Sequence, residues 1–88
     1  MVKIFIAGPE KIYDQLNEFA YEHFSDELKI PGVINFVLRP SPKEIKGEKI
    51  HQVYILLPKD LDEEKMEKWM NLYHVLVERG IQTLLVDI

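Results

Sequence analysis

The sequence predicts a single α/β domain over residues 1–88. It is a four-stranded sheet with two long helices in the order βαββαβ, a Rossmann-like parallel sheet being preferred to a ferredoxin-like antiparallel sandwich. Three observations predict it. Short apolar runs alternate with longer stretches of helical period. Prolines end three of the four runs. The chain has 88 residues, 47% of them hydrophobic, enough for one small core and not for two.

Strand one is Val2 to Ala7, closed by Gly8-Pro9; Pro9 donates to no ladder and suits the first turn of a helix. Helix one is expected from about Pro9 to Leu28. At steps of ~100° per residue, Ile12, Leu16, Phe19, Ala20, His23, Phe24 and Leu28 fall on one side. Pro31-Gly32 breaks the chain. Strand two is Val33 to Arg39, stopped by Pro40. Ser41-Pro42-Lys43-Glu44 has the form of a capping box and starts one short turn ending near Gly47. Strand three is about His51 to Leu57, stopped by Pro58. Asp60 and Glu63 form a second capping-box pair, opening helix two from Leu61 to Arg79. Its stripe is Met66, Trp69, Met70, Leu72, Tyr73, Leu76 and Val77, ~160° wide on the same wheel, with Val75 a lone apolar residue outside it. Gly80 fits a left-handed C-cap, and strand four is Ile81 to Ile88.

Grouped by alternation, Ile4, Ile6, Ile34, Phe36 and Leu38 join Val53, Ile55, Leu57, Ile81 and Leu85 on an almost purely apolar face. The other face, with Phe5, Val37, Tyr54, Leu56, Leu84 and Val86, is mixed. In the antiparallel sandwich both helices cover the first face and the second is left as an apolar patch for a partner. In the parallel sheet the helices lie on opposite faces. Both folds set strands one and three side by side; only the strand direction separates them.

Composition excludes several functions. There is no cysteine, hence no disulfide framework, thiolate metal site or catalytic thiol. The three histidines, His23, His51 and His74, show no ligand spacing; His23 reads as a core-edge residue and His74 as a solvated one. No metal and no cofactor is expected. No apolar run approaches the roughly 20 residues of a membrane span. The chain enters its first strand directly, which argues against a signal peptide and for a cytoplasmic protein. The net charge of −4 argues against nucleic acid as partner.

That charge is concentrated. Residues 10–28 set Lys11 against Glu10, Asp14, Glu18, Glu22, Asp26 and Glu27, a net −5. Asp14, Glu18, Glu22 and Asp26 recur at i, i+4 and form an acidic ridge opposite the apolar stripe. Like charges at that spacing cost a helix ~0.2–0.5 kcal/mol per pair. The ridge is therefore a candidate docking surface for a basic partner, against the plainer reading of a solubilising face. The segment with Arg39, Lys43, Lys46 and Lys49 is net positive, so ridge and loop could meet across a homodimer.

The segments KIFIAGP at 3–9, FVLRP at 36–40 and YILLP at 54–58 together resemble the nucleoside 2-deoxyribosyltransferase-like proteins. The resemblance implies a compact parallel α/β fold with a nucleoside or nucleotide pocket at the strand C-terminal ends. It points to Gly8, Pro9, Arg39, Ser41, Pro58 and Lys59 as ligand-binding candidates, with Pro40 beside them. It does not carry catalysis across. The family's Asp before the third strand is replaced by His51-Gln52. Its nucleophilic Glu, about eleven residues after Leu-Pro, falls on Trp69, and Glu67 sits at the edge of the polar face. No catalytic residue is assigned; Glu63, Glu64 and Glu67 are the carboxylates nearest the expected place. KIFIAG also resembles the first RNA-contact strand of RNA-recognition motifs, with Phe5 and Tyr54 as stacking residues on one face, but the aromatic-rich second motif is missing.

Two functions follow. One is a small non-catalytic interaction protein, dimeric, using the acidic ridge. The other is a degenerate nucleoside- or nucleotide-binding protein with its pocket at the strand ends.

Overall fold

The computed structural model describes residues 2–46 and 49–88. The chain forms β1 (Lys3–Ala7), α1 (Tyr13–His23), β2 (Ile34–Val37), β3 (Ile50–Leu57), α2 (Glu63–Glu78) and β4 (Thr83–Asp87). The strands lie in the order β2-β1-β3-β4, and every neighbouring pair is parallel. The antiparallel sandwich is thereby excluded, and the single α/β domain takes the Rossmann-like form.

The layering follows from connection handedness. From the central pair the chain winds outward twice, through α1 to β2 on one side and through α2 to β4 on the other. Right-handed crossovers running in opposite directions put their helices on opposite faces. Leu16 and Ala20 of α1 are buried against Ile4, Ile6 and Leu56 of the sheet. Phe5, Ala7, Val53, Ile55, Trp69, Leu72 and Leu76 are buried on the α2 side.

The expected faces were joined one residue out of step. Phe5 pairs with Val53 and Ile6 with Tyr54, so Ile4 and Ile6 share a face with Tyr54 and Leu56, not with Val53 and Ile55. A bulge lies at the start of this pairing: Lys3 is opposite Ile50 and Ile4 opposite Gln52, leaving His51 unpaired. The central strands are apolar on both sides because both sides are covered, as parallel sheets require. Phe5, Val37 and Leu56 are buried and form no surface patch.

Helix one is shorter than its periodicity suggests. A 3-10 turn at Glu10–Ile12 precedes α1, and a second at Glu27–Lys29 follows it. The helix ends where Phe24 adopts φ −137° while its N–H still reaches the Ala20 carbonyl. Leaving the helix lets Phe24 lay its ring 5.4 Å from that of Tyr54.

Helix two starts later than expected. Its cap is Asp62, which accepts from the Lys65 N–H at 2.9 Å. Asp60 lies in the turn before it, where the Leu61 N–H reaches the Pro58 carbonyl and Leu61 is buried. The C-terminus is a full Schellman motif: Gly80, at φ 78°, donates to Val77 and Ile81 donates to Leu76. The buried line of α2 is Trp69, Leu72 and Leu76; Val77 is exposed and Val75 half-buried, the reverse of their expected placing.

Among the described residues between β2 and β3 there is no helix. The Lys43 N–H meets Ser41 Oγ at 3.3 Å, and a single turn follows from Pro42 to Ile45; its expected end at Gly47 lies outside the described residues. Ile45 is buried in the α2-side core and fixes this crossover. Among the described residues no helix is long and apolar enough to cross a membrane.

Candidate functional site

Because β1, β2 and β3 run in one direction, Pro9, Pro40 and Pro58 all lie at the same edge of the sheet. The connections leave β1 and β3 in opposite directions, which opens a crevice beyond the strand C-termini. In open α/β sheets such switch points are where ligands bind. Two cavities occupy it.

The first has a volume of about 290 Å³. Pro9, Leu38, Pro40, Leu61 and Trp69 supply apolar walls, and Glu10, Lys11, Lys65 and Lys68 a charged rim. Trp69 is placed by the buried line of α2; on the same helix Lys65 stands one turn before it and Lys68 immediately before it. Lys68 is 3.9 Å from Glu64, and Lys11 is 3.5 Å from Asp60. Among the described residues no carboxylate pairs with Lys65. The rim thus carries three ammonium groups against one carboxylate, over an apolar floor containing the only tryptophan.

The second cavity is larger and more open, about 640 Å³. It is bordered by Pro58, Lys59, Asp60 and Ile88 on one side and by Lys11, Ile12, Asp14 and Gln15 on the other. Lys11 lines both cavities, so the Lys11–Asp60 pair stands between them.

Pro9 lines the first cavity, and Pro58 and Lys59 line the second. Arg39 and Ser41 line neither; Arg39 is exposed and the Ser41 hydroxyl is used in its own turn. Gly8 is buried and serves packing. A Cβ there would stand 2.8 Å from Leu16 Cδ2 and 2.9 Å from the Leu56 carbonyl oxygen. Glycine is what lets the strand end approach β3 and α1 so closely.

The residues that sequence reading missed are Lys65 and Lys68, with Leu61 and Leu38 beneath them. On the ~100° wheel Lys65, one turn before Trp69, falls within the apolar stripe of α2, and Lys68, immediately before Trp69, falls just outside it. Glu63, Glu64 and Glu67 line neither cavity.

Asp14, Glu18 and Glu22 are exposed on α1. Asp26 lies beyond the end of α1, 3.9 Å from Lys29, so the ridge is three residues long, not four. His51 is at the N-terminal end of β3, away from the crevice. His23 is exposed; its ring stacks on Phe19 with centroids 4.3 Å apart, and its Nδ1 is 3.0 Å from the Phe19 carbonyl. Among the described residues no cluster of three or more histidines and carboxylates could hold a metal ion. Phe5 and Tyr54 lie on opposite faces, so they cannot stack adjacent bases on one surface. Tyr54 instead joins Phe19 and Phe24, donates to Gln52 Oε1 at 2.6 Å, and has its hydroxyl pushed above the usual 10.0 by loss of water.

No protein-family model, curated protein or solved structure matches this chain. The likeness to deoxyribosyltransferase-like proteins rests on the three proline-ended strands.

Proposed function

We propose that the chain is a binding protein for a small molecule with a flat apolar part and an anionic group, of the nucleoside monophosphate class. The observation that carries this reading is the first cavity: an apolar floor with Trp69, rimmed by Lys11, Lys65 and Lys68, at the switch point of a parallel sheet. Its volume is near the lower end of ligand pockets, which run from ~300 Å³ upward. A base and sugar fit the floor, and a phosphate meets the lysines. The arrangement supplies binding and orientation, with Glu10 the one carboxylate among its lining residues. A cytoplasmic setting, where such ligands are plentiful, belongs to the same reading.

Thermal melting in a panel of nucleosides and nucleoside monophosphates at millimolar concentration tests it. A ligand at 100 times its dissociation constant stabilises by ~2.7 kcal/mol. The expected outcome is a rise in Tm for at least one nucleotide that exceeds the rise for its nucleoside. No rise across the panel contradicts the reading.

A second reading keeps α1 as a docking surface for a basic partner. Asp14, Glu18 and Glu22 support it, being exposed and without ion pairs among the described residues. Reversing Glu18 and Glu22 to Lys is then expected to abolish partner capture with the fold intact.

A further inference from the structure

The apolar stripe of α2 is wider than the sheet beneath it can use. Trp69, Leu72 and Leu76 point into the core. One flank, with Lys68, Asn71 and Val75, faces the crossover loop at Pro40 and Pro42. The opposite flank carries Met66, Met70, Tyr73 and Val77 and therefore leans outward over β4. Met66, Met70 and Tyr73 are only half-buried, and Val77 is 47% exposed.

Directly below this flank, β4 is an edge of the sheet. Its outer backbone N–H and C=O groups have no strand partner among the described residues. The strand reads Thr-Leu-Leu-Val-Asp. Leu84 is 44% exposed on the α1 face, and Leu85 is 39% exposed on the α2 face. Edges meant to stay free are blunted by charged side chains, proline or a bulge; β4 has no lysine, proline or bulge, and its single charge, Asp87, stands at its last position.

We infer that this wall, β4 together with the Met66–Met70–Tyr73–Val77 flank of α2, is the interface of a two-fold homodimer in which β4 pairs antiparallel with β4 of a second copy. An occupant must supply a strand edge at one level and apolar side chains on both faces at once, and a second copy does so. Centring the two-fold on Leu85 sets Leu85 against Leu85 on one face and Leu84 against Val86 on the other. It sets Asp87 opposite Thr83, so no like charges meet. Shifting the pairing by two residues instead sets Gln82 against Val86 or Leu85 against Asp87. The same operation lays the two α2 helices side by side and antiparallel. Each exposed Arg79 then lies toward the acidic first turn, Glu63 and Glu64, of the other helix, so opposite charges meet, and the antiparallel helices set opposite dipole ends side by side. The result is a continuous eight-stranded sheet that leaves the ligand crevice open.

The absence of cysteine makes a direct test available. Residues facing each other across an antiparallel pair have Cα atoms ~4.5–5.5 Å apart, within the range a disulfide spans. Mild oxidation of Leu85→Cys should give a crosslinked dimer nearly quantitatively, whereas Tyr21→Cys, exposed on α1, should stay monomeric under the same treatment. In sedimentation velocity the unmodified chain should run at twice 10.4 kDa, and Val77→Glu should raise the dimer dissociation constant at least about 100-fold with an unchanged far-ultraviolet spectrum. A monomer up to about millimolar concentration overturns the inference. So does a dimer that resists Val77→Glu and leaves Leu85→Cys uncrosslinked. A dimer dissociated by Glu18→Lys with Glu22→Lys, but not by Val77→Glu, assigns the interface to the α1 ridge instead.

Discussion

Gly8 carries the clearest single-residue consequence of the fold. It was legible as a turn residue before Pro9, and as a ligand-binding candidate by resemblance. Its actual burden is steric, because β1, β3 and α1 converge where it stands. Gly8→Ala places a methyl 2.9 Å from the Leu56 carbonyl, which is strand backbone and cannot rotate away. Overpacking of this kind costs ~1–3 kcal/mol, and urea unfolding is expected to show a loss in that range. Wild-type stability in the alanine variant would mean that the strand end is looser than described. Arg39 and Ser41 mark where single-residue reading ran out. They flank Pro40, which lines the first cavity, but side-chain direction at a strand end depends on a crossover that no local pattern specifies. Lys65 and Lys68 were missed for the converse reason: Lys68 is an ordinary flanking charge and Lys65 a lone lysine in the first turn of the stripe, and only the position of Pro9 and Leu38 opposite them makes a rim.

At the scale of elements, periodicity located all six, misplaced an end of each helix and joined β1 to β3 out of register. Helix one was drawn too long because Phe24 and Leu28 keep the helical period although the backbone has left the helix. Capping-box spacing of Asp60 and Glu63 puts the start of helix two at Leu61. The buried Leu61 and the turn from Pro58 shift the first helical turn by two residues, and Asp62 takes the cap. The two aspartates therefore differ in effect. Asp62→Ala should cost ~0.5–2 kcal/mol by loss of the cap, whereas Asp60→Ala removes only an exposed ion pair, worth ~0–1 kcal/mol. Denaturation of both variants decides between them, and a larger loss at Asp60 would restore the earlier helix start. The pairing of β1 with β3 was the remaining error. Alternation fixes which residues of one strand share a side. It does not fix how two strands join when both sides are apolar, so the one-residue slip between them left no local trace.

The whole molecule was legible in class and less so in site. The resemblance carried by the three proline-ended strands implied a parallel sheet, and such a sheet dictates helices on both faces and a crevice at the switch between β1 and β3. The crevice could be expected from topology. Its cationic rim could not, because Lys11 comes from the segment after β1 while Lys65 and Lys68 come from α2, more than fifty residues later. Two walls of the molecule now have distinct proposed uses: the strand C-terminal edge for a small anionic ligand, and the β4 edge for a second copy. They are independent, since the first needs no second chain. The most direct measurement of the binding reading is fluorescence of Trp69, the only tryptophan, during titration with a nucleoside monophosphate. Binding in the first cavity predicts a saturable change that weakens at least about tenfold in Lys65→Gln with Lys68→Gln, each lysine–phosphate contact being worth ~1.5–3 kcal/mol. A titration that leaves the Trp69 signal flat to millimolar ligand, or a saturable signal indifferent to both lysines, contradicts it.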